Sequence, residues 1–399
     1  MDVKLQRKID QVLGSWICRI LSFYNSIKPR PQRPDKIRSI LIILLSEMGS
    51  IVLAYPMFRR LKEKYPEAEI SFLLFKKNRE ILEILDIVPD ENIFTIDNSS
   101  LTGLATTARS VLGKLRRKKF DAVIDCELFH RISSIFSFLS GAPLRAGFHR
   151  HTQEGLYRGG FINCPVMYNP YRHISRQFIN LAESLDTVTT FPRVKRLIQE
   201  SGPMPPKTKF TSQEKDAFFS RLESGGKWRN GKKTVLIYPG GGLLPIRAWP
   251  LEYFCRLSGL ILEAGYSVSI IGLKEDREIA EIILSRCSHE DCIDLTGFTR
   301  SIRELLILFN MASLLITNDG GPGHFAVLTS VPTIVFFGPE THLLYGPLDE
   351  KTHVFFPGIA CAPCLTAYNH RNSPCDGDNR CLKSIGVEEV YDKAMEILG

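Results

Sequence analysis

From residue 39 onward the chain alternates two kinds of apolar pattern. Short runs apolar at nearly every position, "SILIILLS", "EISFLLF", "NIFTID" and "DAVIDC", are separated by stretches in which apolar residues return every three or four positions, such as "NREILEILD" and "LATTARSVLGKLRRKK". Runs without a polar face predict strands covered on both sides, and the intervening stretches predict the helices that cover them: a parallel sheet wrapped by helices. "IVLAYPMFRRLKEKYP" has helical spacing and predicts one helix, with Pro56 early in it.

Between about 186 and 232 the pattern degrades into "SGPMPPKTKF" and "ESGGKWRNGKK", rich in Pro, Gly and Lys, as expected where a chain crosses between domains. The alternation then restarts. "TVLIYPGGG", "SVSIIGL", "CIDLTG", "SLLITND" and "VPTIVFFG" read as strands; "PLEYFCRLSGLILEAG", "EDREIAEIILSRC" and "SIRELLILFNMA" read as helices. The sequence thus predicts two α/β halves, each doubly wound, with ligands bound at the carboxyl ends of the strands in a cleft between them. The expected division is 36–190 for the first domain, 191–232 for an interdomain region and 233–399 for the second domain.

Residues 1–35 stand apart. Ile9, Val12, Leu13, Trp16, Ile20, Phe23 and Tyr24 recur at helical spacing among Lys4, Arg7, Lys8, Arg19, Lys28, Arg30 and Arg33, and "KPRPQRPD" then breaks the chain. Such a helix can lie on an anionic membrane surface or pack on the body of the protein.

Composition narrows the class. The 399 residues are 44% hydrophobic and 24% charged, as in a soluble globular protein, and the net charge of +8 suits an anionic partner such as a phosphate, a nucleotide or a membrane surface. No Lys/Arg block interleaved with aromatics points to nucleic acid. No secretory signal or spanning helix is expected, which predicts a cytoplasmic protein.

The candidate chemistry lies where strands end. "ITNDGGPGHFA" follows the "SLLIT" strand and opens a helix, "GHFAVLTS". The head of a helix offers unpaired N–H groups and a partial positive charge, and glycines let the backbone approach a ligand. "YPGGGLLPIRAWP" adds Gly240, Gly241 and Arg247, and "GLKEDREIA" adds Glu275 and Asp276, acids able to accept hydrogen bonds from ribose hydroxyls. Backbone donors, a cation and an acid on converging loops suit a nucleotide diphosphate; a tight turn capped by Asp319 is the plainer alternative.

These residues resemble glycosyltransferase family 9, the ADP-heptose:lipopolysaccharide heptosyltransferases, over roughly residues 38–395. "DGGPGH", Asp319 to His324, matches the family's signature of an Asp, a small residue, a Gly and a His opening a helix; "VPTIVFFGP" matches the strand and Gly-Pro that follow. The resemblance implies a GT-B fold, with an acceptor-binding first domain and a nucleotide-sugar-binding second domain. It implies that Asp319, Gly320, Gly321 and His324 contact the donor's sugar and diphosphate. Arg247 then stands where the family has a Lys that meets the phosphates, and Glu275 or Asp276 binds ribose. The expected function is inverting transfer of heptose or a related sugar, with ADP-heptose as donor and an anionic glycolipid such as a lipopolysaccharide core as acceptor, at the cytoplasmic face of the inner membrane. A nucleotide-sugar 2-epimerase and a non-catalytic glycan or nucleotide-sugar binder are the alternatives.

One loop departs from the family. The first strand–helix loop should carry a Gly-Asp pair whose Asp is the proposed base, but "LLSEMGSIVLAYP" has Ser50 beside Gly49. An acceptor hydroxyl needs a group to take its proton as the new bond forms. Glu47 is the nearest carboxylate, so Glu47 is expected as base and Ser50 as a positioning group; Asp125, Glu127 or His130 in "IDCELFHR" are the alternatives. Gly49, His130 and Arg131 are expected on the acceptor side, with His149 and Arg150 also placed at a strand exit.

"CAPCLTAYNHRNSPCDGDNRC", residues 361–381, clusters Cys361, Cys364, Cys375 and Cys381. Two pairs of thiols in one loop suit a structural zinc; reduced thiols or two disulfides are the alternatives. No cofactor is expected for catalysis.

Overall fold

The computed structural model describes residues 8–29, 31–45, 47–149, 157–186, 204–242, 244–366, 373, 375 and 377–399. The chain divides into two compact units, Met1–Met204 with Thr366–Arg371, and Pro205–Leu365 with Asn372–Gly399.

The first unit is built on six parallel strands: β1 (Ser39–Ile43), β2 (Glu69–Phe75), β3 (Ile93–Ile96), β4 (Ala122–Asp125), β5 (Leu144–Phe148) and β6 (Cys164–Val166). Their order is β3-β2-β1-β4-β5-β6. The central strands carry no polar face because both faces are covered; Ile40, Leu41, Ile42 and Ile43 of β1 are all fully buried. Strand order reverses direction between β1 and β4, and at such a switch point the connections leave on opposite faces and open a crevice at the carboxyl ends.

The single helix expected across Pro56 is two, Met48–Leu53 and Tyr55–Lys64, with Pro56 in the first turn of the second. Proline has no N–H to donate and its ring crowds the carbonyl four residues back, so it starts a helix more readily than it continues one.

The N-terminal segment runs through a wide π-turn, Asp10–Gly14, into the helix Ser15–Ile27. Its packed side is made of small or polar residues. A Cβ on Gly14 would sit 2.9 Å from Cβ of Arg131, Cys18 is buried, and Ser22 Oγ accepts from Tyr157 Oη and from the Gly160 amide, both at 2.8 Å. The large apolar residues face outward instead: Trp16 is 62%, Ile20 63% and Phe23 70% exposed, with Val12, Leu13 and Ile27 beside them. Of the two expectations for this helix, packing on the body is observed, and it leaves Trp16, Ile20 and Phe23 each more than half exposed. No helix among the described residues is long and apolar enough to cross a membrane.

The second unit repeats the plan with β7 (Thr234–Tyr238), β8 (Ser267–Ile270), β9 (Cys292–Asp294), β10 (Leu314–Asn318), β11 (Thr333–Phe336) and β12 (Thr352–Phe355), ordered β12-β11-β10-β7-β8-β9. Its switch point lies between β7 and β10. Its core centres on Trp249, which stacks on Phe336 at 4.6 Å between centroids and meets the Phe254 ring edge-on at 5.0 Å. Part of the stretch expected as an interdomain crossing is the helix Ser212–Ser224, opened by a capping box in which Thr211 and Glu214 satisfy each other's backbone N–H groups.

Candidate functional site

At the second unit's switch point, one side chain ties both loops together. Asn318, the last residue of β10, is fully buried. Its Nδ2 donates to the carbonyls of Pro239 and Gly240, each at 3.0 Å, and its Oδ1 accepts from the Trp249 amide at 2.9 Å. Three backbone groups of the β7 loop are thus paired by the amide of the β10 loop, as buried polar groups must be. Trp249 anchors the far end of that loop, donating Nε1–H to the Ile385 carbonyl at 3.1 Å. In between, Gly241 is sterically required, since a Cβ there would lie 2.8 Å from Cα of Pro245, and Gly242 takes φ +58°.

The short turn Pro245–Arg247 then delivers the cation. Arg247 Nε stands 3.4 Å from Asp319 Oδ2, and Nη2 donates to Glu340 Oε1 at 3.3 Å. Both carboxylates are buried. One guanidinium therefore bridges acids from the β10 and β11 loops.

After Asp319 the backbone is extended at Gly320, and the helix runs Gly321–Ala326, opening two residues earlier than expected and lasting six residues. Pro322 sits in its first turn, where its missing N–H removes nothing. Gly323 is backed by Val335 at 3.3 Å from an added Cβ, whereas a Cβ on Gly320 would meet nothing nearer than 3.9 Å. His324 is buried at this end of the sheet.

The two acids of the β8 loop differ. Asp276 Oδ2 accepts from the Leu273 amide at 2.8 Å, closing its own turn, and its carboxylate lies against Gly272 and Gly240. Burial, with Asp276 adding to it, pushes the Tyr238 hydroxyl up to about 12. Glu275 is exposed.

The first unit's switch point is of another kind. On the β1 side, Glu47 is exposed and holds a left-handed backbone, φ 61°, at the start of the helix that carries Gly49 and Ser50. On the β4 side lies a nest of charges. Asp125 is fully buried, and its Oδ2 accepts from Arg158 Nη2 at 2.5 Å. Burial raises the Asp125 carboxyl to about 6 even with Arg158 pulling it down. Asp125 Oδ1 accepts from the Glu127 amide at 3.1 Å, and Arg158 Nε donates to the His130 carbonyl at 3.1 Å. Glu127 Oε2 meets His130 Nδ1 at 3.0 Å. Burial pulls the imidazole down, but the Glu127 hydrogen bond and charge outweigh it, and His130 is held above its ordinary range.

Arg131, expected toward an acceptor, is buried within this unit: its Nε donates to the Tyr157 carbonyl at 3.1 Å and Nη1 lies 3.5 Å from Asp10 Oδ2. Asp10 also accepts the Arg131 and Ile132 amides, each from 3.0 Å, capping the helix Arg131–Leu139. His149 ends the described segment; Arg150 lies outside the described residues.

Among the described residues the clustered thiols do not stand together as a four-thiolate shell. Cys381 is buried against Gly338, Cys364 Sγ lies 3.1 Å from Ser373 Oγ, and Cys361 and Cys375 are exposed. Among the described residues no three of His, Cys, Asp and Glu stand together as a metal set.

Two participants escaped the sequence reading. Asn318 looked like one more polar residue in "ITND". Glu340 follows the Gly-Pro after β11, and an acid directly after a buried strand exit was the only available signal.

Comparison with known proteins agrees with this architecture. The sequence pattern of Glycosyltransferase family 9 (heptosyltransferase) matches residues 108–373. The chain is 22% identical over 371 residues to lipopolysaccharide heptosyltransferase 2 of Escherichia coli K12, spanning 90% of this chain and 98% of that protein. Its fold is similar to the solved structure of E. coli ADP-heptose lps heptosyltransferase II, with a TM-score of 0.68 at 20% identity, over 90% of this chain and 98% of that one. It is similar too to the glycosyl transferase family 9 structure from Veillonella parvula, with a TM-score of 0.70 at 19% identity, over 93% and 99%. At these identities the structural likeness speaks for the fold, and the fold is the expected GT-B class of two doubly wound parallel-sheet domains.

Proposed function

The chain belongs to glycosyltransferase family 9 and is a glycosyltransferase, and from that premise we propose that it transfers heptose from ADP-heptose, with inversion, to a lipopolysaccharide inner-core sugar. The observation that carries this reading is the Asn318-tied pair of loops, which brings Arg247, Asp319 and the head of the Gly321–Ala326 helix to one switch point. E. coli and Haemophilus ducreyi relatives named lipopolysaccharide and lipooligosaccharide heptosyltransferase 2 support the substrate class.

In this reading the diphosphate takes over Arg247 from its carboxylates, and the first amides of the helix meet the same phosphates. Asp319, released from the cation, accepts from sugar hydroxyls, with Gly320 leaving room for the sugar and His324 behind it. Glu275 binds the ribose, because Asp276 is committed to its own turn. Charge growing on the departing diphosphate is stabilised by Arg247 and the helix amides.

The lipid-linked acceptor gives the exposed helix face a purpose. Trp16, Ile20 and Phe23 enter the anionic inner-membrane surface while Lys8, Arg19 and Lys28 meet its headgroups. Sedimentation with phosphatidylglycerol vesicles is expected, and loss of it in Trp16→Asp/Phe23→Asp; equal binding by the double variant would remove the membrane from the reading.

The transfer itself is tested by incubating the protein with ADP-, GDP-, UDP- and dTDP-linked sugars and a deacylated inner-core acceptor. Heptosylated product of inverted anomeric configuration from ADP-heptose alone is expected; transfer from another nucleotide sugar would overturn the donor. Arg247→Met is expected to weaken ADP-heptose binding roughly 10- to 100-fold, the scale of a lost charged hydrogen bond.

A further inference from the structure

We propose that His130, oriented by Glu127, is the general base that takes the proton of the acceptor hydroxyl. This inference rests on the transfer reading above and moves the base from the β1 loop, where Glu47 was expected, to the β4 loop across the same switch point.

Asp125 is sealed in the interior with one oxygen on Arg158 and the other on the Glu127 amide. The Glu127 side chain is 5% exposed and turned onto His130. Ser50 has no basicity near neutral pH, and a carboxylate, the group that Glu47 offers, is intrinsically a weaker base there than an imidazole. His130 has what each of these lacks. Its ring is part-exposed, at 29%, its Nδ1 is engaged by Glu127, and its Nε2 has no partner among the described residues. A carboxylate on one ring nitrogen places the proton on Nδ1 and leaves the lone pair on Nε2, the state that a base requires.

The surroundings fix that arrangement. Arg158 Nε and Ser133 Oγ both donate to the His130 carbonyl, at 3.1 and 3.0 Å. Asp10 holds the two amides that follow. Asp125, through the Glu127 amide, holds the other end of the loop. Among the described residues, the charges acting on the ring are Glu127 from its own loop, Asp10 from the N-terminal segment, and Arg158. Among the described residues, the Nε2 edge of the part-exposed ring is left to meet a substrate. In the reaction the acceptor oxygen forms its bond to the anomeric carbon, the bond from that carbon to the diphosphate oxygen breaks with its electron pair leaving on the nucleotide, and the hydroxyl proton passes to Nε2.

Two measurements on the full chain test this. Nitrogen NMR of the histidine rings, with His130 identified by its loss in His130→Gln, is expected to show a neutral ring protonated on Nδ1, with a midpoint above 6.5 that falls in Glu127→Gln. A neutral ring carrying its proton on Nε2 would overturn the proposal. The spectra need no turnover, so a wild-type chain that transfers no heptose counts against the donor reading alone. In the transfer assay, His130→Gln is expected to lower kcat about 100-fold or more and to erase the rising limb of the pH profile, while the melting-temperature rise on adding ADP-heptose persists. Glu127→Gln is expected to shift that limb to lower pH. A rising limb unchanged in His130→Gln would return the base to another group.

Discussion

The two units share one strand order and differ in what they place at its reversal. In the second unit the reversal is made of backbone: glycines, a short helix, and a single amide side chain joining the loops, with one arginine between two acids. In the first it is made of charges already paired within the interior, leaving one imidazole edge. Backbone amides with a movable cation suit a large, multiply charged ligand, which needs many contacts of modest strength. A pre-paired nest suits a small job done at one atom, because its members are held in place before any ligand arrives. On the function and base proposed above, the same topology serves recognition in one unit and proton handling in the other, and the loops decide which.

The sharpest way to break that contrast is Arg158→Met. It leaves Asp125 buried and unpaired, and a loss of about 3–5 kcal/mol in denaturant unfolding is expected, with hydrogen exchange rising around β4 and β5; a loss under about 1 kcal/mol would mean that the pair is not structural. Next comes Asn318→Ala, which strands three backbone groups. A loss of roughly 3 kcal/mol is expected, located by exchange around β7 and β10, together with weaker ADP-heptose binding. Unchanged exchange there would show that the loops hold without their tie.

Two glycines separate fold from ligand within the second unit. Gly241→Ala must push into Pro245 and is expected to destabilise by about 1–3 kcal/mol. Gly320→Ala meets open space and extended backbone, so an unchanged melting temperature with reduced donor affinity is expected; full donor affinity would move the sugar away from Gly320. The pH dependence of stability has opposite sign in the two units. The Asp125 carboxyl is raised to about 6, so its contribution is full below about 3.8 and is lost as pH rises through 6. Glu214 is held down at about 2, first by its hydrogen bond to Arg303, so its contribution is present above about 4.5 and is lost as pH falls through 2. Stability profiles of Asp125→Asn and Glu214→Gln should each lose one of those slopes, and a profile parallel to wild type would remove that group from the account.

Much of the fold was legible because apolar runs such as "SILII" and "TVLIY" have one physical solution, a strand covered on both sides. The short edge strand β12, "THVF", was not legible, since only its last residue is buried and its pattern is too brief to declare a period. The Pro- and Lys-rich segment before it makes the helix Ser212–Ser224 read as a linker, although Thr211 and Glu214 stand at capping-box spacing in "TSQE". At the candidate site, loops could be located from strand ends and glycines, but partners could not. Nothing in sequence joins Asp125 to Arg158 or Arg247 to Glu340, and Arg131 reads as a surface cation until its guanidinium is seen turned inward.

Asn318 also limits how this protein can vary. Its amide both gives and receives hydrogen bonds, and an aspartate in its place, the same shape with one nitrogen exchanged for oxygen, would have no hydrogen to offer the Pro239 and Gly240 carbonyls. Slow chemical loss of that amide in an ageing molecule would make the same exchange. Any such exchange would cut the tie that holds the two loops together.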